Sequence, residues 1–352
     1  MRFLPTAEQR DFSRSLDALL TASDTPSAVR SWSAGDHGPG RALWARLAGA
    51  GVFALAAPEA QDGMGRLPVE LALAYRELGR HAVPGPLVET AAATALLTHL
   101  ADTGDPAPAK RLLPGLLTGE SVATLGVPGG GGYVLDAEGA DVVLVVTGAG
   151  EGEAGQGSVE AAEAGKASPG SEPELRLAPG HGSVHRSLDP ARRLARPDPG
   201  GELLAAGPLV AEAVGCAVRW ARLAAAAQAV GVAEELLRRT VAYVKQRTQF
   251  GVPIGSFQAV KHRLADTLLA VEFARPLVYG AALTLAPGDL AAAKAAAGEA
   301  AYTAARAALQ LHGAIGYTEE LDLSLWLRKA RPLRDAWGTP AQCRAEVLAA
   351  YP

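Results

Sequence analysis

Apolar positions recur at helical spacing through the first third of the chain, at Phe12, Leu16, Leu19 and Leu20 and again at Leu43, Leu47, Val52 and Phe53. A turn-rich cluster from Pro58 to Gly65 interrupts them. Two more helical runs follow, Val69 to Gly79 and Pro86 to Leu100, the second ending at Asp102-Thr103-Gly104-Asp105-Pro106. The period then changes. Ser121–Gly126 and Ala140–Val146 are short, rich in β-branched residues and bounded by glycine, and predict strands. From Gly148 to Ser183 the chain is rich in Gly, Ala, Glu and Ser, which predicts a long flexible loop or a decayed piece of sheet. Helical periodicity returns at Pro208–Lys245, Phe257–Ala282 and Asp289–Leu311, with a short last helix from Pro340. The pattern predicts a mainly α protein with a central β domain. An N-terminal helical domain would cover 1–118, a reduced β domain 119–208 and a C-terminal four-helix bundle 209–352.

Composition narrows the class without changing that picture. The 352 residues are 49% hydrophobic and 20% charged, which suits a globular protein rather than a disordered chain. A net charge of -4 offers no basic stripe for nucleic acid. No apolar run approaches the roughly 20 residues that cross a bilayer. The first residues carry acid early and show no apolar signal core, so a cytoplasmic protein is expected. Cys216 and Cys343 cannot by themselves build a disulfide framework or a zinc site, and no metal is expected.

Two places carry candidate chemistry. Arg247 opens a turn at a helix end and is followed by Gln249, Phe250 and Gly251. A guanidinium presents planar donors that match phosphate oxygens two at a time, so Arg247 suits a diphosphate. A solvated surface charge is the plainer alternative. Gly313 and Gly316 punctuate the end of an apolar helix after Gln310. Glycines there let the backbone approach a ligand and present its N–H groups, although a helix C-cap would also take a glycine.

Taken together and in order, these segments resemble the acyl-CoA dehydrogenase family. Arg247 through Asp266 is similar to its C-terminal signature, and Gln310 through Glu320 to its glutamine–glycine segment. Leu43-Trp44, Pro58-Glu59, Asp62-Gly63 and Glu77-Leu78-Gly79-Arg80 fit the same family. Ser187 through Arg193 resembles its short, diverged actinobacterial members. The likeness spans nearly the whole chain. It implies FAD as cofactor, contacted by Arg247, Gln249, Phe250, Gln258, Gln310, Gly313, Gly316 and Thr339. In the family the arginine turn and the glutamine–glycine turn serve one FAD from different subunits, which implies an obligatory dimer with the cofactor at its interface. The implied substrate is an acyl thioester of coenzyme A or of an acyl carrier protein, with an electron-transfer flavoprotein as a further partner.

The chain also departs from the family. The family's reaction removes the α proton of an acyl thioester while a β hydride passes to the flavin, and the protein supplies a carboxylate base. Most members carry that base in a Tyr-Glu-Gly-Thr segment, and the matching positions here are Ala336-Trp337-Gly338-Thr339. An indole cannot accept a proton at nitrogen, and it fills the space. Other members place the glutamate on an earlier helix before an arginine, and that position is Ala221, beside Arg222. Asp335 is the nearest carboxylate in sequence, and its simpler reading is a charge paired with Arg331 and Arg334. Glu319 and Glu320 fall in the glycine turn, which the family uses for cofactor and subunit contacts. The family's Thr-Glu-Pro-x-x-Gly-Ser-Asp loop has no counterpart, and the glycine run between Val127 and Tyr133 reads as a slack turn.

These losses resemble the pattern of heterotetrameric members, in which two short subunits share fewer flavins. The resemblance then implies an oxidoreductase component that completes a cofactor site, with the general base supplied by a paralogous partner. A flavin-free structural subunit and a homodimer with altered flavin chemistry are the alternatives. The acyl group is left open.

Overall fold

The computed structural model describes residues 4–148 and 172–351. Six helices come first: α1 (Ala7–Thr21), α2 (Thr25–Ser33), α3 (Gly38–Gly49), α4 (Pro68–Arg80), α5 (Leu87–Asp102) and α6 (Ala107–Thr118). Seven strands follow: β1 (Ala123–Gly126), β2 (Val134–Leu135), β3 (Val142–Thr147), β4 (Glu174–Leu177), β5 (His181–Arg186), β6 (Arg193–Pro197) and β7 (Glu202–Ala206). The long helix α7 (Pro208–Gln246) leads into a small hairpin, β8 (Thr248–Gln249) and β9 (Val252–Pro253). Helices α8 (Gln258–Thr284), α9 (Pro287–His312), α10 (Leu323–Asp335) and α11 (Pro340–Ala350) complete the chain. No helix among the described residues is long and apolar enough to cross a membrane.

Among the described residues, β1 to β7 form two small sheets, ordered β1-β3-β4-β7 and β2-β6-β5. Among the described pairs β1 and β3 run parallel, and the others are antiparallel. Val143 of the first sheet packs with Val134 and Ala195 of the second in a small core of their own. Residues 149–171, most of the segment expected to be loop or decayed sheet, lie outside the described residues. Its far end holds β4 and the start of β5, which fits the sheet alternative and not the flexible loop. Leu175 pairs with Val146 and is buried, so the ladder to β3 supplies the order that local composition withholds. The glycine run is a surface turn closed by the Gly130 amide on the Val127 carbonyl.

Helix α7 is the spine of the molecule. Its Ala-rich middle, Ala221 to Val232, is buried throughout except for Arg222, so neighbouring helices approach its backbone closely. A β-carbon on Gly79 of α4 would lie 2.1 Å from the carbonyl oxygen of Gln228 in α7. The Trp326 indole of α10 donates to the carbonyls of Gly79 and Arg80 and locks the same crossing from the side. Helix α8 behaves differently. It buries Val271, Ala274, Val278 and Ala281 but leaves Leu268, Leu269, Phe273, Leu277 and Leu283 exposed, Phe273 at 72%.

Candidate functional site

The two positions that match the family's base, Ala221 and Trp337, meet at one end of the bundle. Ala221 is fully buried on α7, and Arg222 beside it donates from Nε to the main-chain carbonyl of Trp337 at 3.0 Å. The Arg222 fork is held by Glu346 of α11, with Nη2 at 2.7 Å from Oε1. Lys294 of α9 is 1% exposed and donates to the carbonyls of Arg334 at 2.8 Å and Gly338 at 3.2 Å. Burial lowers its pKa to about 8, against the opposing pull of nearby Cys343 and Asp335. Two helices, α7 through Arg222 and α9 through Lys294, thus clamp the backbone of the loop between α10 and α11.

Trp337 adopts a φ of 60°, a left-handed conformation that bulky residues adopt only when the surroundings impose it. Its indole Nε1 donates to Oε1 of Glu89 at 3.1 Å. Glu89 lies on α5 and is 5% exposed. Its other oxygen, Oε2, is buried with no hydrogen-bond partner among the described residues. Asp136, fully buried on the β side, is pushed up to about 7 by burial, against the Arg193 amide and the Arg192 charge, with Glu89 adding repulsion. Sequence reasoning missed Glu89, Lys294 and Asp136. A lone acid inside the apolar run Leu87–Leu100 was the signal available for Glu89.

Asp335 is occupied. Its oxygens take Arg331 at 3.3 Å and Arg334 at 3.1 Å, so it is an arginine-paired surface acid. Thr339 caps α11 in a reciprocal box with Gln342, which engages its hydroxyl within the chain.

The other candidate residues gather at the opposite end. Arg222 and Arg247 stand 25 residues apart on α7 and its cap, or about 37 Å at 1.5 Å per residue. Arg247, Gln249 and Phe250 belong to the exposed β8–β9 hairpin, with Phe250 at 91% exposure and a φ of 56°. The Arg247 side chain makes no hydrogen bond or ion pair among the described residues, and Gln258 is exposed at the start of α8. Gln310 accepts from Arg263 of α8 at 2.5 Å. Tyr243 stacks on His312 with ring centroids 4.2 Å apart, which ties the end of α7 to the turn that carries Gly313. The two glycines have different jobs. Gly313 has φ 62° and ψ -140° with open space beside it, a conformation that needs glycine. A β-carbon on Gly316 would press on His312 and the Leu309 carbonyl, so its smallness serves packing. A groove of about 370 Å³ lies nearby, lined by Arg238, Arg239, Tyr243 and His312, but both arginines are already paired with Glu235.

This geometry can be set beside known proteins. Residues 6–120 match the family described as acyl-CoA dehydrogenase, N-terminal domain, and residues 183–350 match acyl-CoA dehydrogenase, C-terminal domain. The chain belongs to the acyl-CoA dehydrogenase family. Among curated acyl-CoA dehydrogenases, IpdE2 of Mycobacterium tuberculosis is 34% identical over 326 residues, 92% of this chain and 91% of the relative. A glutaryl-coenzyme A dehydrogenase complex with glutaryl-CoA superimposes with a TM-score of 0.80 at 23% identity, covering 99% of this chain and 96% of the other. The ChsE4–ChsE5 complex of Mycobacterium tuberculosis gives 0.79 at 23% identity, with both chains fully covered. These structural likenesses establish the acyl-CoA dehydrogenase fold, with its helical domain, small β region and helical bundle.

Proposed function

We propose that this acyl-CoA dehydrogenase chain is the cofactor-completing subunit of an FAD-dependent acyl-thioester α,β-dehydrogenase, and that a paralogous partner supplies the general base. The observation that carries this reading is the separation of its two half-sites. The arginine hairpin caps the end of α7, while the Trp337 loop sits against Arg222, 25 residues or about 37 Å back along the helix. Arg247 would therefore serve a flavin bound mainly by another subunit. Neither Trp337 nor Ala221 can take a proton.

The residues at the hairpin end suit the cofactor. Arg247 has its donors free for a diphosphate, and Gly313, with open space at its α-carbon, suits a backbone approach to a ligand. Bound FAD supplies the acceptor for the substrate's β hydride. This chain contributes charge for the diphosphate and a surface that excludes water from it. The exposed apolar face of α8, beginning at the hairpin, supports a partner there, as does the likeness to ChsE4–ChsE5. We assign the substrate to the coenzyme A or carrier-protein thioesters, an electron-transfer flavoprotein as electron acceptor, and the cytoplasm as location. A second reading, a flavin-free structural subunit, is favoured by the commitment of Trp337 and Asp335 to contacts within the chain.

The test is to purify the chain alone and with a co-expressed paralogue, then record flavin absorbance and acyl-CoA oxidation. Flavin and turnover that appear in the pair alone support the proposal. A yellow, active chain by itself would refute it, and no flavin in either preparation selects the structural reading.

A further inference from the structure

We infer that Glu89 and Trp337 form a latch that shuts this chain's own acyl cleft. The inference rests on the proposed function, because it takes Trp337 to stand where the family's catalytic carboxylate faces the substrate. Four observations converge on it. The indole lies partly buried against the main hydrophobic core. Its Nε1 is bonded to a carboxylate that is itself 5% exposed. Its backbone holds an unfavourable φ of 60°, and the carbonyls of Trp337 and Gly338 are each clamped by a cation, Arg222 and Lys294.

A loosely packed surface tryptophan would need none of this. A strained backbone persists when the surroundings over-determine it, and here three helices do so. The bond to the indole is the one hydrogen bond that the Glu89 side chain makes among the described residues. Removing the indole would leave a buried carboxylate wholly unpartnered, which is costly. The two side chains therefore depend on each other. Glu89 acts as a positioning residue, and Trp337 occupies the volume that an acyl chain would need.

The latch is tested with the chain paired with its paralogue and a non-oxidisable probe, the octyl thioether of coenzyme A. Equilibrium titration counts probe molecules bound per pair. Trp337→Gly is expected to bind one more equivalent than the wild-type pair. Glu89→Ala is expected to free the indole, read as a changed Trp337 fluorescence against a Trp337→Phe reference, whereas Glu89→Gln keeps an acceptor and the wild-type emission. A wild-type pair that already binds one probe per chain would overturn the latch, as would a Trp337→Gly pair with no added equivalent. Should Trp337→Gly fail to fold, an unchanged emission in Glu89→Ala overturns the assignment of Glu89 on its own. Flavin absorbance of the same samples reports separately on the proposed function, so the two ideas fail by different readings.

Discussion

A β-carbon at Gly231 would lie 1.9 Å from the carbonyl oxygen of Arg76, so helices α4 and α7 touch backbone to backbone at this point. The contact is with main chain on a buried helix, and nothing flexible can move aside. Gly231→Ala is expected to destabilise the protein by about 1–3 kcal/mol despite the better helix propensity of alanine. A urea or thermal melt against wild type measures this.

Asp136 makes stability depend on pH. Its folded pKa of about 7 stands above the unfolded carboxyl value. Between about pH 4 and pH 7 the folded chain keeps a proton that the unfolded chain has released, so this group's contribution falls as pH rises through that window. The loss is up to about 4 kcal/mol by the size of the shift. Asp136→Asn keeps an acceptor for the Arg193 amide and should lose less stability than wild type between pH 5 and pH 8. Urea midpoints at the two pH values for both proteins give the comparison.

Lys329 and Asp189 are a buried ion pair at 3.3 Å, with both side chains almost wholly enclosed. The contact is Coulombic, without the geometry of a hydrogen bond from the lysine. Lys329→Met is expected to cost about 3–5 kcal/mol by leaving Asp189 uncompensated. The double variant with Asp189→Asn should recover much of that loss, and chemical denaturation of the four proteins closes the cycle.

Arg247→Ala should weaken flavin retention in the paired protein about tenfold or more, the loss of a charge-assisted contact to phosphate. Its melting temperature should stay near wild type, because the Arg247 side chain is exposed and has no partner within the chain. Flavin content after gel filtration is the measurement, and unchanged content would remove Arg247 from the cofactor site.

Phe273 stands out from the apolar face of α8. Phe273→Asp should weaken association at least about tenfold if this face carries a hot spot, while leaving the helical content of the chain intact. Sedimentation at several concentrations separates the two effects.

The long helices were legible because their apolar stripes repeat every turn, and Trp337 stood out because a motif of fixed length surrounds it. Helix α10 shows in the sequence as a motif and not as an element, since Arg328, Lys329, Arg331 and Arg334 crowd a short run that also contains Pro332. Strand β4 was hidden by its polar neighbours, and pairing with β3 makes it a strand. The Glu89–Trp337 contact joins residues 248 positions apart. No local window holds both, and in its own window Glu89 reads as an acid at odds with the apolar helix around it.

The length of α7 also has a consequence for genetics. Because Arg222 and the Arg247 cap serve separate neighbourhoods along it, a lesion in the hairpin and a lesion in the Trp337 loop damage different things. Two alleles of this gene, each broken at one of these places, would between them still encode one sound example of both. Complementation between such alleles in a single cell would map the two neighbourhoods as two separable traits.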